Sequence, residues 1–321
     1  MVQGSVNLIP DAPVSVIREL AVRAEELGYH RCWVYDEGLA TRDVYVTLAA
    51  ILQATSRLIV GPGVTNAYTR HPGQSAAAIA TLAEMSGGRA FLGLGAGGTL
   101  TLDPLGLERQ RPAETVRQAI AACRGLFAGQ QVDLDAPGFA LRSARLDYGT
   151  ADIEIWLAGR GPRMLELGGA ECDGVMLDFI HKPSLGDYLA RVRAGAERTG
   201  NQPQICYSTM VVTDDEALET VRPHMTYRLV DSPPSVREAL GMTDDDVDRI
   251  RSALAEGLDA AARHVPDDWV LPFVIAGTEE ECAAELAELC DNYGLDEFMV
   301  PVLDPSSGEA LLEVMSRVLF R

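Results

Sequence analysis

Short apolar runs alternate with longer amphipathic stretches along most of the chain. Ser5–Ile9 is the first such run, and a helix is predicted over Val14–Leu27. There Val14, Ile17, Leu20, Ala21, Ala24 and Leu27 share one face, Arg18, Glu19, Arg23, Glu25 and Glu26 fall mostly on the other, and Gly28 ends the pattern. The same unit recurs. Cys32–Tyr35, Arg57–Gly61 and Ala90–Gly95 read as strands two to four, with helices over Tyr45–Ala54, Gly73 to about Met85, and Ala113–Phe127. Ile153–Ala158, Gly174–Leu177, Gln204–Val212 and Glu297–Leu303 read as strands five to eight. Helices are expected over Pro162–Cys172, Gly186–Thr199, Asp214 to about Arg228, Glu279–Asn292 and Gly308–Leu319.

Two stretches break the rhythm. Residues 131–148 read as a β-rich insertion with Pro137-Gly138 at its turn, and residues 232–269 as an acidic helical one. Eight strands alternating with helices argue for parallel pairing through right-handed crossovers. At that count a closed α/β (β/α)8 TIM barrel, with insertions after strands 4 and 7, is expected rather than an open doubly wound sheet. Residues 1–321 then form one domain. In such a barrel the functional loops follow the C-terminal ends of the strands.

Composition narrows the function classes. The 321 residues are 47% hydrophobic, ample for a large core. A net charge of −20 argues against nucleic-acid or anionic-membrane partners, so an anionic ligand has to be held locally by backbone N–H groups or a few Arg. Lys182 is the only lysine. The six Cys are scattered without a C-x-x-C, which fits apolar positions in a reducing compartment and gives no metal site. No run is apolar enough to span a bilayer, and the first ten residues lack a basic n-region; a cytoplasmic protein is expected.

Candidate chemistry gathers where strands end. Gly61–Pro72 and Arg89–Gly98 carry small residues that let a backbone approach a ligand. Gly93-Leu-Gly-Ala-Gly-Gly98 looks superficially like a dinucleotide loop, but Pro104 and Gly106 argue against the helix that such a loop must open. A tight turn, or glycines on which a ligand packs, remain the readings. Gly159, Arg160, Gly161, Pro162 and Arg163 precede or open a helix; proline suits its first position, and the free N–H groups with the two Arg suggest an anion site, against an ordinary turn. Asp36 and Glu37 are barrel-mouth carboxylates or a cap and ion pair with Arg42. His71 reads as a loop residue packing at a helix start or a ligand group, and His181-Lys182 as ligand contacts or a solvated loop.

Five stretches together resemble the bacterial luciferase-like superfamily, most of all its coenzyme F420-dependent methylenetetrahydromethanopterin reductase branch. They are Ala24–Asp36, Gly61–Pro72, Ser86–Gly98, Leu157–Leu165 and Cys172–Val175, in order from about Val6 to Val302. The resemblance implies a deazaflavin or flavin over the strand ends and a non-proline cis peptide behind its ring, by motif position Gly63–Val64. It further implies ring contacts from Asp36, Val64, Thr65 and Asn66, a close-packed floor from Gly95, Gly97 and Gly98, and phosphate contacts from Gly159–Arg163. Asp178, His181 and Lys182 are expected to touch substrate or the cofactor tail. Many F420-dependent relatives have His where Glu37 stands. The sugar-phosphate dehydrogenase branch has Glu at the position of Gly98 and a Trp near Ala40; both are missing. Asp36, Glu37 and Glu108 are therefore the candidate catalytic acids.

The expected activity is hydride transfer between the deazaflavin C5 of F420 and a small organic substrate. The alternatives are an FMN-dependent monooxygenase of the same fold using O2, and a non-catalytic flavin-binding barrel. A homodimer or higher homo-oligomer, served by a separate flavin or F420 reductase through diffusion, is expected.

Overall fold

The computed structural model describes residues 2–148 and 152–320. Eight parallel strands form the barrel: β1 (Gln3–Leu8), β2 (Arg31–Val34), β3 (Ile59–Pro62), β4 (Leu92–Gly95), β5 (Ile155–Ala158), β6 (Gly174–Asp178), β7 (Gln204–Ser208) and β8 (Glu297–Val302). β1 pairs with both β2 and β8, which brings the two ends of the chain's strand order together. Between β3 and β4 the ring closes in two steps. Val60 bridges Ala90, and after an interruption Thr65–Asn66 pairs with Leu94 and Gly95. The expected (β/α)8 barrel is the observed architecture.

Eight helices follow the strands: α1 (Val14–Leu27), α2 (Val44–Ala54), α3 (Pro72–Ser86), α4 (Pro112–Phe127), α5 (Pro162–Glu171), α6 (Leu185–Thr199), α7 (Glu279–Tyr293) and α8 (Gly308–Leu319). Their ends follow from local chemistry. Gly28 terminates α1 at φ +97, the left-handed conformation that a residue without Cβ adopts at little cost. α3 has Pro72 at its first position, and the His71 ring accepts from Gly73 N at 3.1 Å. His71 Nε2 also lies 3.0 Å from Ala140 O, so this side chain ties the helix start to the hairpin Val132–Ala136/Phe139–Ala144.

The core has three parts. Aliphatic side chains fill the layer between sheet and helices. Inside the barrel stand Trp33, Phe91, Trp156, Met176, Cys206 and Met299. At the N-terminal end of that interior, Arg31 and Glu297 are both buried and paired at 3.0 Å. Trp33 Nε1 donates to the same carboxylate at 3.0 Å, and the Arg31 guanidinium lies 4.6 Å from the Trp156 ring centroid and 4.7 Å from that of Phe91. This polar plug seals the end of the barrel opposite the functional loops.

The third part belongs to the segment after β7. Gln204–Val212 reads as one strand in the sequence but divides in the fold. β7 stops at Ser208, and Val211–Val212 pairs instead with Ile275–Ala276 outside the barrel sheet. Thr209 Oγ1, which donates to Phe273 O, holds the departure point. Helices Asp215–Val230, Pro234–Ala239, Asp244–Leu254 and Leu258–Ala262 then pack around Met225, Leu229, Val247 and Ile250. Phe179, next after β6, is part of this cluster and docks the insertion on the barrel mouth.

Candidate active site

The interruption after β3 builds the floor of a cavity of about 430 Å³ at the C-terminal ends of the strands. The Gly63–Val64 peptide bond is cis. Gly63 N donates to Val34 O at 2.7 Å, and Asn7 Nδ2 donates to Gly63 O at 3.0 Å. A Cβ on Gly63 would stand 2.7 Å from Trp33 Cβ and 2.9 Å from Asn7 Oδ1, so only glycine fits. The Val64 side chain in turn fills the space left by two glycines of β4. A Cβ on Gly95 would meet Val64 Cγ2 at 2.7 Å, and one on Gly93 would meet Pro62 O at 2.1 Å. The glycine run thus accommodates a neighbouring strand on one side and lines the cavity, through Gly95, Gly97 and Gly98, on the other.

A single helical turn, Thr99–Leu102, does open directly after these glycines, where the sequence argued against a helix. Pro104 and Gly106 limit it to that turn and a following 3-10 turn, too short for a dinucleotide-binding helix. Gly97 sits at φ +73 against Leu102, which lets the chain fold back over the cavity.

The acidic residues separate by role. Asp36 lines the cavity and accepts from Thr65 Oγ1 at 2.6 Å. Burial pushes its carboxyl above the usual range, the Thr65 hydrogen bond draws it back, and the nearby Asp43 charge adds to the rise. Glu37 also lines the cavity; its Oε2 accepts from Thr101 Oγ1 at 2.9 Å, joining the loop after β2 to the turn after β4. Glu37 therefore does not serve the cap or Arg42 pairing weighed from the sequence, and Arg42 donates to Pro10 O at 3.4 Å. Glu108 is exposed and does not line the cavity. Its neighbour Arg109 does, with Nη1 donating to Gly97 O at 3.0 Å.

Thr65 and Asn66 are both buried beside the floor. Asn66 Oδ1 accepts from the backbone N–H groups of Tyr68 and Thr69, each at 2.9 Å, and this turn fixes the loop that leaves the floor. Across the cavity, Gly159 and Arg160 belong to its wall. Gly161 caps α5 and Pro162 opens it. Met164 N and Leu165 N bond back to Gly161 O, and Arg163 is exposed.

A second cavity of about 250 Å³ adjoins the first, and Arg160 lines both. Gly161, Pro162 and His181 line the second one. His181 is buried, with Nδ1 2.8 Å from Ser184 Oγ and its ring against Phe273; burial lowers its pKa and favours the neutral ring. Lys182 is engaged elsewhere, in an ion pair with Glu285 of α7. Asp178, at the end of β6, lines the larger cavity.

Besides Thr101 and Arg109, three more residues that the sequence did not single out stand at this site. Asn7 and Tyr35 line the larger cavity, and Arg228 comes from the insertion to line the smaller one. Asn7 Oδ1, Tyr35 OH and Asp178 Oδ1 are buried and have no hydrogen-bond partner among the described residues. Unsatisfied buried polar atoms are uncommon in a finished fold, and their gathering around one cavity marks it as a place where a ligand or water completes the bonding. Tyr35, directly before Asp36, was open to discovery as a polar side chain at a strand end. Arg228 carried no local signal.

The family model of the luciferase-like monooxygenases matches residues 2–297. The chain belongs to the luciferase-like family. Among its relatives is a 5,10-methylenetetrahydromethanopterin reductase of Methanolobus tindarius, 33% identical over 89% of this chain and 90% of that protein. The enzyme of the same name from Archaeoglobus fulgidus is 30% identical, over 88% and 89% of the two chains. Among solved structures, the coenzyme F420-dependent tetrahydromethanopterin reductase of Methanopyrus kandleri superposes with a TM-score of 0.89 over 99% of this chain and 98% of that one, at 24% identity. An F420-dependent secondary alcohol dehydrogenase superposes with a TM-score of 0.79 over 99% of each chain, at 21% identity. Membership of the luciferase-like family makes this protein an oxidoreductase.

Proposed function

We propose that this protein is an F420-dependent oxidoreductase acting on a small organic substrate. The observation that carries the reading is the floor itself. The Gly63–Val64 step, held by Asn7 and packed on two glycines of β4, forms a close-packed floor under the cavity, with Asp36, Glu37 and Asn66 also lining it. A planar deazaflavin fits over such a floor, and the names of the two F420-dependent enzymes of similar structure support F420 rather than FMN. When bound, the cofactor supplies hydride transfer at C5.

The chain's own residues supply position and charge. Val64 and Gly63 would support one face of the ring. Thr65 orients the Asp36 carboxyl towards the cavity edge, where as a carboxylate it can accept a proton. The Glu37–Thr101 bond draws the turn after β4 across the opening and limits water. Gly159–Arg163 would hold the phosphate of the cofactor, and Arg160, which lines both cavities, would meet its acidic tail. Glu108 has no part in this arrangement as the loop is placed, and Arg109 takes its position at the rim.

The protein is also proposed to be cytoplasmic and to receive reduced cofactor from a separate reductase by diffusion. Among the described residues no helix is long and apolar enough to cross a membrane. A homodimer or higher oligomer is supported by exposed Leu39 and Leu100, on segments that meet where Gly38 approaches Thr101. Leu39→Glu is expected to lower the mass measured by light scattering; an unchanged oligomer rules out this face.

Fluorescence-quenching titrations with F420 and with FMN test the main reading. Micromolar F420 binding with weak or no FMN binding is expected. FMN binding with none of F420, or oxygen-dependent turnover with reduced FMN, overturns it.

A further inference from the structure

Arg228 sits in an arrangement that its surroundings do not use up. It is carried by the insertion helix Asp215–Val230, far from the barrel in sequence, yet its guanidinium lies 3.7 Å over the Phe179 ring at the end of β6. Nη1 donates to His224 O at 2.6 Å. Nη2 stops 3.6 Å from Asp178 Oδ2, too far for a charge-assisted hydrogen bond, and Nε is buried with no partner among the described residues. Arg160 approaches the same carboxylate oxygen from the other cavity wall and also stops short, at 3.8 Å. Two guanidinium groups thus flank one carboxylate as ion pairs too long for hydrogen bonds, at the junction of the two cavities, and the three groups together carry a formal charge of about +1.

The surrounding charges set what this junction accepts. Asp231 also lines the smaller cavity, but it is exposed, where water screens its charge. His181 is buried and its pKa is lowered, so it is neutral near neutral pH. Stacking on Phe179 orients the Arg228 fork, so little side-chain freedom is lost when it binds an anion. In a chain of net charge −20, Arg228 is mostly buried and keeps Nε unused, with the more exposed Arg160 beside it.

We propose that Arg228, together with Arg160, forms an anion site at the junction of the two cavities, taking a phosphate or carboxylate group of a ligand that occupies the larger cavity. This rests on the functional reading above and extends it, because it assigns a binding role to the insertion after β7. The anion has two possible sources, the acidic part of the cofactor or an acidic group on the substrate.

The test uses the full chain as wild type and as Arg228→Met, which keeps the volume and removes the charge, with Arg228→Lys as the conservative variant. Each is titrated with F420, with its riboflavin-level fragment that lacks phosphate and tail, and with inorganic phosphate in the presence and absence of F420. A cofactor source predicts that Arg228→Met weakens F420 binding about ten- to a hundredfold. Fragment binding is unchanged, and Arg228→Lys recovers part of the loss. A substrate source predicts unchanged F420 and fragment binding, with phosphate binding to the F420-loaded wild type and not to Arg228→Met. Equal weakening of F420 and its fragment, or no change in any titration, overturns the proposal. A wild type that binds neither F420 nor the fragment rejects the functional reading instead. The phosphate titration without cofactor then decides the anion site, which falls if Arg228→Met binds phosphate as the wild type does.

Discussion

Thr65 Oγ1 donates to Asp36 at 2.6 Å, and this bond acts against the burial that raises the Asp36 pKa. A donor to a carboxylate favours the charged form, so removing it raises the pKa further. Thr65→Val is therefore expected to move the acid limb of kcat/KM to higher pH, because a larger share of Asp36 is protonated at any given pH. Asp36→Asn is expected to abolish that limb and to lower kcat about 100-fold. A limb that stays in place in Thr65→Val, measured from acid to neutral pH, removes Asp36 from the reaction. The comparison of residues also shows where local reading stops. Asp36, Glu37 and Thr65 are legible because each lies at the end of a strand whose direction the pattern sets. Glu108 and Arg109 differ by one position on an irregular loop, where no period tells which side chain turns inward. Lys182 looked available in the sequence, but its partner Glu285 lies on a helix more than 100 residues later.

At the scale of elements, the fold is most legible where hydrophobic period and end signals agree. Val14–Leu27 and Gly308–Leu319 were bounded to the residue, since each has a strong apolar face with a glycine at one end. The strand read over Gln204–Val212 failed differently. Its residues alternate with no clear stop signal beyond the polar pair Ser208-Thr209, and the division at Ser208 comes from Thr209 and Phe273 meeting across 64 positions. Packing of this kind makes two predictions. Gly95→Ala forces Val64 away, because a β-branched side chain has no flexible end to yield at 2.7 Å. We expect a loss of about 1–3 kcal/mol in urea unfolding together with weaker F420 binding; full retention of both would mean that Val64 does not depend on this glycine. At the opposite end of the barrel, Glu297→Gln removes the buried carboxylate and leaves Arg31 only the more exposed Glu154, 3.0 Å from Nη1. At most about 3 kcal/mol of stability should be lost. The surviving folded protein should bind F420 normally, since the plug lies away from the cavity floor. Impaired binding in the folded variant would show coupling between the two ends.

On the scale of the whole molecule, charge and site pull in opposite directions. A chain of −20 repels an anionic cofactor at distances where individual side chains are not resolved, while the junction of Arg160 and Arg228 attracts it at contact. Salt screens the first effect over a Debye length of about 10 Å at 0.1 M and weakens the second less, because the guanidinium groups are partly desolvated. The two effects divide between association and dissociation. Raising salt from about 20 mM to about 200 mM should increase the association rate of F420 several-fold, the reverse of an electrostatically steered pair. The dissociation rate should rise as the local contacts are screened, so the equilibrium constant changes less than either rate. The fragment without phosphate and tail should associate at a rate that salt barely alters. Stopped-flow fluorescence resolves these cases. An association rate for F420 that falls with salt would show that the positive junction already governs the approach, and that the acidic surface lies too far from the barrel mouth to oppose it.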